Sequence, residues 1–145
     1  MTTASCEDVP MDPIVVSALA LIRDRRLLMV TARDRDVLYL PGGKLEPGES
    51  AAEALVRESR EEVAVELDAA TVVELFTVRT QAHGEPDGRE VHMTLFSARL
   101  DPTSPEPLAS AEVGALHWVT SADAGHCPPA GVATLDGLVR LGLID

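Results

Sequence analysis

The chain has 145 residues, enough for one domain with a single sizeable core; 46% of it is hydrophobic and 3% aromatic, so that core must come mainly from Val, Leu, Ile and Ala. A formal net charge of -12 argues against nucleic-acid polymers, whose backbones need clustered Lys and Arg, but admits a small anion wherever a metal and a few local cations outweigh the distant field. Cys6 and Cys127 have no metal-binding spacing, and the N-terminus lacks a basic region followed by an apolar run. Free thiols and a cytoplasmic protein without a membrane span are therefore expected.

In chain order, residues 1–12 read as a loose tail and 13–145 as one domain. Ile14 to Ile22 is a nearly continuous apolar run, the mark of a strand covered on both faces. The polar turn 23–26 and the apolar run Leu27 to Ala32 make it a hairpin. Arg33, Asp34, Arg35 and Asp36 form a charged loop, either a solvated connection or a place where Arg33 and Arg35 meet substrate. After the short apolar segment Val37 to Leu40, Pro41-Gly42-Gly43 presents bare backbone, and Lys44 is either solvated or set to meet a phosphate as a point charge.

Pro47-Gly48 is a turn, and Glu49 and Ser50 suit the start of a helix that runs on through Ala, Leu, Glu and Arg. At about 100° per residue, Ala52, Leu55, Val56, Ser59 and Val63 gather on the face to be buried. The Ser59 hydroxyl should bond back to a carbonyl such as that of Leu55. Glu58, Glu61 and Glu62 gather on another side, where Ala51 and Ala54 would leave open space. Residues 71–79 and 91–100 read as a second hairpin joined by the turn-rich 82–88; 101–111 is a proline-rich loop and Val113 to Val119 a last strand. Pro128-Pro129 suits a helix start, with Val132, Leu135, Leu138, Val139 and Leu141 as its buried stripe. His83, His92, His117 and His126 lack zinc-like spacing. The whole pattern is α/β without a fixed sheet topology.

Three carboxylates at i, i+3 and i+4 repel one another by a few tenths of a kcal/mol per close pair on an open helix, and a bound cation reverses that sign. Either this is a solvated acidic face or it holds a hard cation, Mg²⁺ or Mn²⁺, shared with substrate phosphates. The spacing decides: Gly43, Glu49, Arg57, Glu58, Glu61 and Glu62 stand at G-x5-E-x7-R-E-x2-E-E. That pattern resembles the Nudix box, from which Ser59 departs at an aliphatic position and Ala64 at the closing glycine.

The resemblance implies a three-layer α/β/α sandwich with a mixed central sheet and Mg²⁺-dependent hydrolysis of a phosphoanhydride in a nucleoside triphosphate or other nucleoside diphosphate derivative. It implies that Glu58, Glu61, Glu62 and the Gly43 carbonyl bind the metal, and that Arg57 and Glu49 orient the Gly43 loop and the glutamates. Members similar to MutT carry a glutamate six residues before a strand tryptophan; Glu112 before Trp118 is the matching candidate base, with Glu61 as alternative. Pro128-Pro129-Ala130 matches a MutT segment whose next residue is a base-reading asparagine, but here it is Gly131, without an amide. Base stacking would then rest on Tyr39, Phe76, Phe96 or Trp118, any of which could be core. A small anionic nucleotide is the expected partner, a homodimer stays open, and a nucleotide-sugar pyrophosphatase or a non-catalytic nucleotide sensor are the alternatives.

Overall fold

Strand β1 (Ile14–Ala20) sends alternate side chains into two separate cores, as a strand with period two must when both faces are covered. Ala18 and Ala20 pack with Leu27, Met29, Met93 and Leu95; Leu19 and the following Leu21 pack with Leu28, Val30 and Phe96. Helix α2 (Pro129–Arg140) closes the first core with Leu135 and Leu138, and helix α1 (Ala51–Val63) closes the second with Leu55 and Val63. The result is the expected α/β arrangement, strands between two helices.

This computed structural model describes residues 11–145, so the expected tail, apart from the exposed Met11 and Asp12, lies outside it, as does Cys6. The strands are β2 (Ile22–Arg23), β3 (Arg26–Ala32), β4 (Gly42–Lys44), β5 (Val73–Gln81), β6 (Glu90–Ser97) and β7 (Val113–Val119). One sheet is mixed, in the order β4-β1-β6-β5: β1 runs antiparallel to β4 and parallel to β6, and β6 runs antiparallel to β5. The other, β2-β3-β7, is antiparallel. Among the described residues no helix is long and apolar enough to cross a membrane.

The first hairpin differs from expectation. The tight turn at Asp24 and Arg25, both at positive φ (53° and 62°), joins only β2 to β3, through Ile22↔Leu27 and Arg23↔Arg26. β1 leaves for the other sheet. A strand apolar on both faces is best placed with a neighbour at each edge, and β4 and β6 supply them. Cover on both faces begins only past Val15, which is 48% exposed. The second hairpin is present as β5 and β6, paired from Val73↔Ser97 to Gln81↔Glu90.

Helix α1 opens on a capping box: Ser50 Oγ accepts from the Glu53 amide at 3.1 Å, and Glu53 Oε1 accepts from the Ser50 amide at 2.9 Å. Its buried residues are Ala54, Leu55, Ser59 and Val63, whereas Ala52 is exposed and Val56 half-buried. Ala51 and Ala54 therefore do not border open space. Their small side chains let the helix settle against β1 and β4, where the Ala51 carbonyl accepts from Ser17 Oγ at 2.8 Å. The Ser59 hydroxyl is buried without a hydrogen-bond partner, so the expected bond to Leu55 does not form.

In α2, Pro129 takes the first helical position, but the buried stripe is Gly131, Thr134, Leu135 and Leu138. Val132, Val139 and Leu141 face solvent. Closeness of approach selects the face: Phe76 of β5 lies over Gly137, where a Cβ would stand 2.6 Å from the ring. Thr134 is accommodated because its hydroxyl donates to the Ala130 carbonyl at 2.8 Å.

Candidate active site

The glutamate face of α1 is drawn against β4 by glycine. At Gly42 (φ 154°) a Cβ would collide with the Ser17 carbonyl of β1; at Gly43 it would stand 2.5 Å from Glu58 Oε1 and 2.6 Å from its carboxyl carbon. The Glu58 carboxylate thus occupies the space that a side chain at residue 43 would fill. Glu62 reaches the same pair of glycines, accepting from the Gly42 amide at 2.9 Å. The bare backbone read from Pro41-Gly42-Gly43 does meet the glutamates.

Arg57 organises the remaining charges. Its Nε and Nη2 donate to the two oxygens of Glu49 at 2.8 and 2.9 Å, a bidentate pair whose side chains are only 21% and 13% exposed. Nη1 donates to Glu58 Oε1 at 2.9 Å and lies 3.5 Å from Glu61, while Nη2 donates to the Lys44 carbonyl at 3.1 Å. One guanidinium therefore ties the pre-helix loop, β4 and the glutamate face together, as its planar fork allows. It holds Glu49 at about 2, well below the ordinary carboxylate range, helped by the Glu46 amide that donates to Glu49.

Glu62 is shifted the other way, to about 7, first because burial disfavours its charge and then because Glu58 and Glu61 repel it; the Gly42 amide only partly offsets this. Carboxylates clustered so that Glu58 and Glu61 raise the proton affinity of Glu62, beside glycine backbone and with Glu61 exposed, fit a hard divalent cation by donor chemistry. Glu58 is turned to Arg57 and Glu62 to Gly42, and among the described residues no three His, Cys, Asp or Glu side chains converge on one metal position.

Glu112 lies in the turn just before β7, exposed, with the residue before it at positive φ (Ala111, 55°). Its loop is fastened to the end of the glutamate helix: the Leu108 and Ser110 amides donate to the Val63 and Glu62 carbonyls, each at 3.0 Å. The Arg33 amide donates to the Glu112 carbonyl at 3.2 Å, and Gly114 leaves room for the Arg33 backbone. Arg33, Arg35 and Lys44 are exposed. Arg33 is thereby placed beside Glu112; no contact gathers Arg35 or the Lys44 side chain with the glutamates.

Next to Gly42 and Gly43 opens a cleft of about 240 Å³, walled by Val16, Leu38, Leu40, Val91 and Met93, with Ala130 and Gly131 on the α2 side. Tyr39 lines it, 38% exposed. Of the other rings, Phe96 is buried, Phe76 packs on Gly137, and Trp118 lies under Arg23, 5.4 Å from the guanidinium carbon. Three polar lining residues were not singled out for the site from sequence: Ser17, Gln81 and His83. A lone hydroxyl in an apolar run was the signal at Ser17; the other two sit at a hairpin with no motif.

Mixed sheet between helices, glycine-backed glutamates and adjoining cleft agree with what the sequence matches: the NUDIX domain family, over residues 11–139. The chain belongs to the Nudix family and is a Nudix hydrolase. It is 33% identical over 137 residues to the CTP pyrophosphohydrolase of Escherichia coli (strain K12), spanning 90% of this chain and 95% of that protein. Among solved structures it resembles the E. coli ORF135 protein (28% identity, TM-score 0.70, 91% and 92% of the two chains). It also resembles a MutT NUDIX hydrolase from Burkholderia pseudomallei (25% identity, TM-score 0.67, 90% and 99% of the two chains).

Proposed function

We propose that residues 13–145 form a single catalytic domain that hydrolyses a phosphoanhydride of a nucleoside triphosphate or other nucleoside diphosphate derivative, with Mg²⁺, or Mn²⁺ in its place, as cofactor. The observation that carries this reading is the shared use of Gly42-Gly43: Glu58 and Glu62 lie against the same glycines that line the apolar cleft. On this reading the carboxylates that would hold metal and phosphate adjoin a recess for a base ring. The likeness to a CTP pyrophosphohydrolase favours a nucleoside triphosphate over a nucleotide sugar.

Glu58, Glu61, Glu62 and the Gly43 carbonyl would hold the cation, which when bound neutralises phosphate charge and lowers the pKa of a coordinated water. Arg57 and Glu49 keep the loop and helix in register, so that the donors do not have to be ordered during each turnover. Glu112 takes the proton from the attacking water, with Glu61 as the alternative, and Arg33, Arg35 and Lys44 supply positive charge to the phosphates.

A panel of nucleoside triphosphates and diphosphate conjugates, with products identified and Mg²⁺ varied, tests the reading. Turnover should require the metal, and Glu62→Gln or Glu61→Gln should remove most of it while circular dichroism remains that of the folded protein. Near-wild-type turnover by a folded variant at limiting Mg²⁺ would show that the carboxylates are not the metal site.

A further inference from the structure

The polar side chains of the cleft are mostly committed elsewhere. Ser17 Oγ donates to the Ala51 carbonyl at 2.8 Å. Gln81 is spent on its own hairpin: Oε1 accepts from the Gly88 amide at 2.8 Å, and Nε2 donates to the Pro86, Ala82 and Glu85 carbonyls at 2.9, 3.2 and 3.3 Å. Position 131 has no room for a base-reading amide, since a Cβ there would stand 2.8 Å from Cys127 Cβ and 3.3 Å from its Sγ. Two rings remain at the rim. His83 rides on the loop that Gln81 holds, and its ring meets Tyr39 edge-on, centroids 6.2 Å apart at 66°.

We propose that Tyr39 and His83 are the base-gripping residues of the cleft, and that they hold a nucleobase by stacking and size, without reading the pattern of groups on its edge. The proposal rests on the nucleotide reading above. Aliphatic walls reward any flat ring that leaves water, and an aromatic face at the rim adds stacking that every base can accept. The Gln81 bonds fix the loop in advance, so less order is lost when a base enters. A site without edge-directed hydrogen bonds discriminates weakly: wild-type kcat/KM should differ by less than about 10²-fold among the common bases, and between guanine and 8-oxoguanine.

The test measures steady-state hydrolysis of the nucleoside triphosphates alongside calorimetric binding of nucleoside monophosphates without metal. Tyr39→Ala should raise KM by about tenfold with kcat nearly unchanged, weaken monophosphate binding to match, and leave Tyr39→Phe close to wild type; His83→Ala should shift KM in the same direction by less. Thermal melts monitor folding, and Tyr39→Leu, which keeps bulk but no ring, substitutes if Tyr39→Ala unfolds. If the wild type turns nucleotides over and ring loss leaves KM unchanged, or lowers kcat instead, the rim assignment is wrong and the catalytic reading stands. Discrimination between bases well above 10²-fold would overturn the stacking rule in the same way. A wild type that neither binds nor hydrolyses nucleotides would remove the nucleotide reading and this proposal together.

Discussion

At Ser59 a hydroxyl is enclosed in the α1 core with nothing to bond. Such a group keeps the cost of leaving water and gains nothing in return, so Ser59→Val should stabilise the fold by about 1 kcal/mol if the two methyls are accommodated. A thermal melt decides: a fall of similar size would mean that the packing around residue 59 has no room for them. Ala64 gives the complementary case. It closes α1 at φ 59°, ψ 28°, a left-handed conformation that costs an L-residue with a Cβ roughly 1 kcal/mol relative to glycine. Ala64→Gly should raise the melting temperature, and a decrease would show that the unfolded chain's added freedom outweighs the relieved strain. Both positions were visible in the sequence as departures from the Nudix box. That the hydroxyl at residue 59 lacks a partner was not, because it depends on which atoms of other elements close around it.

At the scale of elements, the joint between the Gly43 loop and α1 was legible, since Glu49 and Arg57 keep a fixed separation that the pre-helix turn converts into a bidentate contact. Its sensitivity to acid follows from the shift at Glu49. The folded value, about 2, lies below the 4.5 of a free side chain, so the pair's contribution to stability is complete above about pH 4.5 and declines as pH falls toward 2. Glu49→Gln should therefore melt below the wild type at pH 7 by a margin that narrows between pH 4.5 and 3. A constant margin would assign the loss to packing. Hydrophobic spacing located β3, β7 and the β5–β6 hairpin well and placed Leu135 and Leu138 of α2 in the core, yet misassigned the partner of β1 and the rest of the α2 stripe. Apolar pattern states how much cover an element needs; it does not state which strand or which glycine supplies it. The three-residue β4, made of Gly42, Gly43 and Lys44, is the extreme case, because its strand character comes entirely from the edge of β1.

Across the whole molecule, the candidate base and the candidate metal ligands come from segments about fifty residues apart, and β7, pairing with β3, carries Glu112 back to the end of α1. The amides of Leu108 and Ser110 hold that approach through the Val63 and Glu62 carbonyls, using backbone groups that substitution at residue 112 leaves in place. Glu112→Gln is thus an isosteric change on an intact scaffold, removing proton acceptance while sparing the glutamates of α1. It should lower kcat by about 10² to 10⁴, the span expected when a general base is lost, with Mn²⁺ affinity changed far less. Manganese titration measured beside the pH dependence of kcat/KM separates the two effects. If the variant kept its rate and the acidic limb of the wild-type profile, proton removal would pass to Glu61, which lies 3.5 Å from Arg57 and is more than half exposed on the same helix as the other glutamates. A parallel loss of Mn²⁺ affinity and rate would instead make Glu112 a ligand, drawn into the cation's shell by the loop that fastens it to α1.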